Sequence, residues 1–215
     1  MSEHQQWPKP VIGLVGAIGA GKSTAAAAFA ARGGFVIDAD RLGHEVLDSP
    51  EIRRQVLDRW GRRGNLLKTD GRLDRRVLAA LVFADPAERT ALEAIVFPQI
   101  GARAQDAIRK AQHDPAAKFV VVDAAVMLEA GWNDVCSRIV YVDAPRETRL
   151  ARLAARGWTD ADLTAREAAQ WPAEKKMKRA SAVIVNEGSR EQLQEQVDRL
   201  LEQWELEAAS SEAHA

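Results

Sequence analysis

The segment Gly16-Ala17-Ile18-Gly19-Ala20-Gly21-Lys22-Ser23 has glycine, four residues, glycine, lysine and a hydroxyl in the spacing of a phosphate-binding loop. Glycines let a backbone turn tightly and aim successive N–H groups inward, where they and the positive end of a following helix can hold a β-phosphate. Lys22 would then bridge the β- and γ-phosphates. Ser23 offers a hydroxyl to Mg²⁺, a hard cation that takes oxygen ligands and bridges phosphate oxygens. A glycine loop serving only as a turn would need neither the lysine nor the hydroxyl.

Transfer of a phosphoryl group also needs a carboxylate beside the acceptor hydroxyl and cations around the moving group. Asp38 and Asp40, in Val36-Ile37-Asp38-Ala39-Asp40, follow a short apolar run, and Asp123 follows Val120-Val121-Val122. Each can act at the C-terminal edge of a parallel sheet, where ligands bind, or can cap a helix or turn. Asp123 is a candidate for the Mg²⁺ shell. Arg149, Arg152 and Arg156 follow Pro145 at spacings of three and four, which predicts one helical face. That face is either solvated or a lid over the phosphates.

These residues need a frame. Val11–Val15, Phe35–Ile37, Phe119–Val122, Ile139–Val142 and Ala182–Val185 read as strands buried on both faces, and Ser23–Arg32 as the helix that completes the opening unit. The alternation predicts an α/β fold: a P-loop NTPase-type parallel sheet of about five strands covered by helices. Helical patterns at Glu51–Trp60, Asp74–Phe83 and Ala87–Lys110, the last broken near Pro98, place a helical insertion over about 41–114. A second helical excursion, 146–179, has the position of a lid, with a new helix starting at Pro172. The expected organisation is a single domain over 11–204 between polar tails at 1–10 and 205–215.

Composition narrows the classes. The 215 residues are 47% hydrophobic and 28% charged, with a formal net charge of -1. No global positive field draws the chain to a nucleic acid or an anionic membrane, so phosphate binding must be local. One cysteine, Cys136, allows no internal disulfide, and no apolar run approaches the roughly 20 residues of a membrane span. A cytoplasmic protein without nucleic-acid or membrane partners is expected. His4, His44, His113 and His214 show no metal-ligand spacing, and Trp60, Trp132, Trp158 and Trp171 read as packing residues.

Several separated motifs together resemble the bacterial dephospho-CoA kinase family over roughly 11–201. They are the Gly13 to Thr24 opening, Ile37-Asp38-Ala39-Asp40, Gly71-Arg72-Leu73-Asp74-Arg75 with Val82-Phe83, Leu128-Glu129, Arg152 with Arg156, Arg166 with Gln170, and Val183-Ile184-Val185-Asn186 before Gly188. The resemblance implies transfer of the ATP γ-phosphoryl group to the ribose 3′-hydroxyl of dephospho-CoA. It implies Asp40 as base, Lys22 and Arg152 at the transferring group, and nucleotide binding by Gly16, Gly19, Ala20, Gly21, Lys22, Ser23, Thr24, Arg156 and Asn186. Asp38 and Arg75 fall on the acceptor side, and Mg²⁺ at Ser23 and Asp123. Departures occur at Phe97-Pro98, where the family often has histidine before proline, at Asp123-Ala124-Ala125-Val126, and at Ser181. A nucleoside or nucleoside-monophosphate kinase would share the loop, lid and sheet. A GTP-dependent switch would need an Asn-Lys-x-Asp segment after Val142, which is missing; Asp40-Arg41-Leu42-Gly43 matches only the weaker Asp-x-x-Gly pattern.

Overall fold

A computed structural model describes residues 7–205. Five parallel strands, β1 (Val11–Gly16), β2 (Gly34–Asp38), β3 (Phe119–Asp123), β4 (Arg138–Asp143) and β5 (Ala182–Val185), form one sheet in the order β2-β3-β1-β4-β5. Their parallel register brings Gly16, Asp38, Asp123 and Asp143 to the same C-terminal edge, with Asp38 opposite Asp123. The α/β expectation and all five strands therefore hold. Side chains alternate across the strands, so Ile12, Leu14, Val121, Val140, Val142 and Ile184 share one face. That face forms a core with helices α1 (Lys22–Ala30) and α9 (Arg190–Gln203). Arg32 pairs with Asp198 of α9.

The chain divides into two compact units. One comprises the described parts of Met1–Asp38 and Ala107–Ala215, and the other is Ala39–Asp106. In the sheet unit, α6 (Arg146–Ala154), α7 (Asp160–Glu167) and α8 (Ala173–Met177) lie between β4 and β5, and Pro172 is the N-cap of α8 as its position predicted. Thr159 and Asp162 close a capping box on α7, and Ser189 and Gln192 close another on α9. The segments 1–6 and 206–215 of the expected tails lie outside the described residues. Lys9 and Pro10, within the expected N-terminal tail, are hydrogen-bonded to the sheet unit. Lys9 donates its backbone N–H to Gln112 Oε1 (2.6 Å), and the Val120 N–H donates to the Pro10 carbonyl (2.9 Å).

The helical unit contains α2 (Ala39–Asp48), α3 (Pro50–Trp60), α4 (Arg75–Phe83) and most of α5 (Pro86–Gln112). Asp74 caps α4 by accepting from the N–H groups of Arg76 and Val77. Contrary to expectation, Pro98 does not break α5. A proline inside a helix costs about 3 kcal/mol, but one turn after another buries Val96, Ile100, Ala104 and Ile108. At about 1.5–3 kcal/mol for each large buried side chain, that face outweighs the lost hydrogen bond. Trp60 is fully buried, and its indole N–H donates to Glu88 Oε2 at 2.8 Å. Arg63 (2.7 Å) and Arg59 (3.2 Å) complete the carboxylate's shell, and Glu88 is itself only 8% exposed. Among the described residues, no helix is long and apolar enough to cross a membrane.

The hydrogen bond from Trp60, then that from Arg63, hold the Glu88 carboxyl below the usual glutamate range. A depressed folded value adds stability that is present above the unfolded pKa of about 4.3 and is lost as pH falls through the folded value. Glu88→Gln should therefore unfold at lower urea than the parent at pH 7, with the gap narrowing below pH 4. Parallel urea titrations at pH 7 and pH 3 check this; a gap that persists unchanged at pH 3 would remove the carboxylate's charge as the cause.

Candidate active site

The phosphate-binding loop leaves β1 at Gly16 and enters α1 at Lys22. Its glycines answer to two constraints. A Cβ at Gly16 would stand 2.2 Å from the Val142 carbonyl, and Gly19 and Gly21 have φ of 79° and 88°, in the left-handed region that glycine occupies without strain. These torsions send loop carbonyls outward, where donors from two later parts of the chain meet them. Arg149 donates to the Ile18 carbonyl (3.2 Å), Arg152 to that of Ala20 (3.1 Å), and the buried Asn186 amide to Ala20 as well (2.7 Å). Arg152 also donates to the Asn186 carbonyl at 2.9 Å, so one guanidinium joins the loop to the end of β5.

A cavity of about 460 Å³ opens on this loop. The expected residues Gly19, Gly21, Lys22, Ser23, Thr24, Arg152, Arg156 and Asn186 line it, and Gly16 and Ala20 belong to the same turn. Lys22 makes no side-chain hydrogen bond or ion pair among the described residues, which leaves its ammonium free for a ligand. Gly188 and Arg190 join the lining without having been singled out as contacts. Arg190 opens α9 directly after the Ser189 cap, and the capping pattern was the available signal. Among the described residues, no acidic one lines this cavity. Four cations in a lining without acids suit a polyanion such as a nucleotide triphosphate.

The arginine trio separates. Arg149 is held by the Ala144 and Ile18 carbonyls and by Glu167, and Arg156 lies beyond the end of α6, so the three do not form one lid face. Burial raises the Glu167 pKa, but hydrogen bonds from Arg149 and Arg146 outweigh it and keep the carboxylate ionised.

Asp38 ends β2 and is exposed; Asp123, half-buried, ends the neighbouring β3 beside β1. Ser23 with one carboxylate from this edge is a donor set that Mg²⁺ accepts when phosphates and water supply its remaining oxygens. Asp40 is already in the first turn of α2, so it does not continue the extended register of Asp38. Its carboxylate is exposed and has no ion pair among the described residues. Arg75 starts α4 and lies 3.7 Å from Asp48.

A second cavity, of about 290 Å³, borders Gly16, Ala17 and Ile18. Lys176 lines it at 2% exposure, a position that sequence reasoning passed over because lysine in an exposed-looking helix gives no burial signal. Its ammonium reaches Glu129 (2.8 Å), Gln170 Oε1 (2.9 Å) and the Ala125 carbonyl (2.9 Å).

A family model described as dephospho-CoA kinase matches residues 10–195. The chain is 39% identical over 196 residues to the dephospho-CoA kinase of Deinococcus radiodurans, covering 91% of this chain and 92% of that one. It is 40% identical over 198 residues to that of Synechococcus sp., covering 90% and 96%. The solved structure of TT1252 from Thermus thermophilus superposes with a TM-score of 0.76 at 34% identity, over 91% of this chain and 97% of that one. Shikimate kinase from Acinetobacter baumannii, at 16% identity and a TM-score of 0.51, shares the fold over 93% and 96%. With a family match across nearly all of its described residues and a loop built for phosphates, this chain belongs to the dephospho-CoA kinase family.

Proposed function

We propose that this protein transfers the γ-phosphoryl group of ATP to the ribose 3′-hydroxyl of dephospho-CoA, giving coenzyme A and ADP. The observation that carries the reading is the acid-free cavity in which Lys22, Arg152, Arg156 and Arg190 surround the phosphate-binding loop, on a chain of this family. The loop N–H groups and Lys22 hold the β- and γ-phosphates. Arg152 stands ready to neutralise charge that spreads over the γ-phosphoryl oxygens in a loose transition state. Asn186 and Arg156 complete the donor side.

Mg²⁺ would be held by Ser23 and Asp123 together with phosphate oxygens, and when bound it lowers the charge that the leaving diphosphate must carry. Asp40 is the base: an exposed carboxylate just past the C-terminal edge of the sheet orients the acceptor hydroxyl and takes its proton. Asp38 and Arg75 belong to the acceptor side.

A coupled ADP-release assay with ATP, Mg²⁺ and an acceptor panel tests the reading. Dephospho-CoA should turn over, while AMP, CMP and nucleosides should not. Preference for a nucleoside or nucleoside monophosphate would reassign the enzyme. Lys22→Ala should reduce turnover by roughly 10²–10³-fold or more, since charge-assisted contacts in a water-poor site are lost; near-normal turnover in a folded variant would remove Lys22 from the chemistry. Asp40→Asn keeps shape but not basicity, and single-turnover rates should fall by roughly 10²–10⁴, nearer the lower figure because little proton transfer has occurred in a loose transition state. A silent Asp40→Asn beside an inactive Asp38→Asn would move the base to Asp38.

A further inference from the structure

The two cavities share Ala17 and differ in charge. Around the larger one, four cations line the wall with no acid among the described lining residues. Around the smaller one, Arg149 is paired with Glu167, and the Lys176 ammonium gives its three N–H donors to Glu129, Gln170 and the Ala125 carbonyl. What is left over is acceptor capacity. Asp143, at the C-terminal end of β4, makes no side-chain hydrogen bond or ion pair among the described residues. This cavity therefore offers a phosphate no unpaired cation among the described residues.

Tyr141 adds a second, independent observation. Val140 and Val142 point into the core with α1 and α9, so Tyr141 leaves the other face of the sheet and reaches this cavity. It is fully buried, and its hydroxyl has no hydrogen-bond partner among the described residues. A buried hydroxyl without a partner costs stability, which makes it a group kept for something that enters. Burial pushes its pKa up to about 12, so the group stays a hydroxyl that can donate. Trp171 lines the same space, with the Lys175 ammonium 3.4 Å from its ring centre.

We propose that this cavity is the subsite for the adenine of the acceptor, with the Tyr141 hydroxyl donating to a ring nitrogen and Asp143 accepting from the exocyclic amine. The inference rests on the function proposed above, since it takes dephospho-CoA as the acceptor. Ligand pockets commonly measure about 300–1,000 Å³, so about 290 Å³ suits one heterocycle and not the whole acceptor. A flat, neutral ring with one amine donor and ring-nitrogen acceptors matches what the walls leave unpaired. Because Ala17 borders both cavities, a base seated here would place its ribose toward the phosphate side of the loop. Lys176 acts as a positioning residue: it holds Gln170 and, through Glu129, the backbone N–H of Trp171 (2.9 Å) against the segment after β3.

Calorimetry on the whole chain tests this. The parent and Tyr141→Phe are titrated with dephospho-CoA, with its phosphopantetheine half, which lacks adenosine, and with ATP. Loss of one neutral hydrogen bond, at about 1 kcal/mol, should weaken dephospho-CoA binding roughly five- to tenfold. Phosphopantetheine and ATP should bind as before, and the thermal midpoint should not fall, because the hydroxyl has no partner in the free protein. Asp143→Asn should show the same selectivity. Weaker ATP binding with dephospho-CoA unchanged would give the cavity to the donor's adenine and overturn the proposal. Equal dephospho-CoA binding in parent and both variants would overturn the subsite alone, whereas a parent that neither binds nor phosphorylates dephospho-CoA would overturn the proposed function with it.

Discussion

A loop that binds phosphate through backbone N–H groups must turn its carbonyls the other way, and those carbonyls need donors or the loop will relax toward water. In this chain, the donors come from far along the sequence. Arg149 and Arg152, from the helix after β4, and Asn186, just after β5, meet the carbonyls of Ile18 and Ala20. The order β2-β3-β1-β4-β5 makes this possible, because it puts the exits of β4 and β5 on the same side of β1. Glycines at 19 and 21 supply the torsions, and the rest of the sheet unit supplies the anchors.

Charge is then sorted on the two sides of Ala17. On one side no acid among the described residues lines the cavity around Lys22, Arg152, Arg156 and Arg190; on the other, each lining cation has its own carboxylate. A uniform positive cleft would hold triphosphate and acceptor phosphates alike, in any orientation. Segregated charge instead suits a polyanion on one side and leaves hydrogen-bonding capacity for a neutral group on the other.

Much of this was legible in the sequence, and the gaps have physical causes. Five short β-branched runs announced five strands, and the loop motif announced Lys22 and Ser23, because both signals are local. Pro98 misled, since a local breaker was overridden by burial along Ile100, Ala104 and Ile108 that only the folded helix reveals. Arg149 and Arg152 look alike at helical spacing and both reach loop carbonyls, yet Arg149 also pairs with Glu167 whereas Arg152 lines the phosphate-side cavity. Lys176 and Tyr141 were missed because a buried ion pair and a buried orphan hydroxyl are tertiary facts. Gln170 and Glu129 stood out only through family likeness, and their common partner explains why they occur together.

The central claim is that the loop is held ready by donors to its carbonyls before any nucleotide arrives. Its most direct test is hydrogen exchange of the amides from Gly16 to Thr24 in nucleotide-free Asn186→Ala, compared with the parent. Loss of the 2.7 Å bond to Ala20, at about 1–1.5 kcal/mol, should speed exchange there roughly tenfold while the strands keep their protection. Unchanged exchange in the loop would contradict the account, and Asn186 would then act on the nucleotide alone.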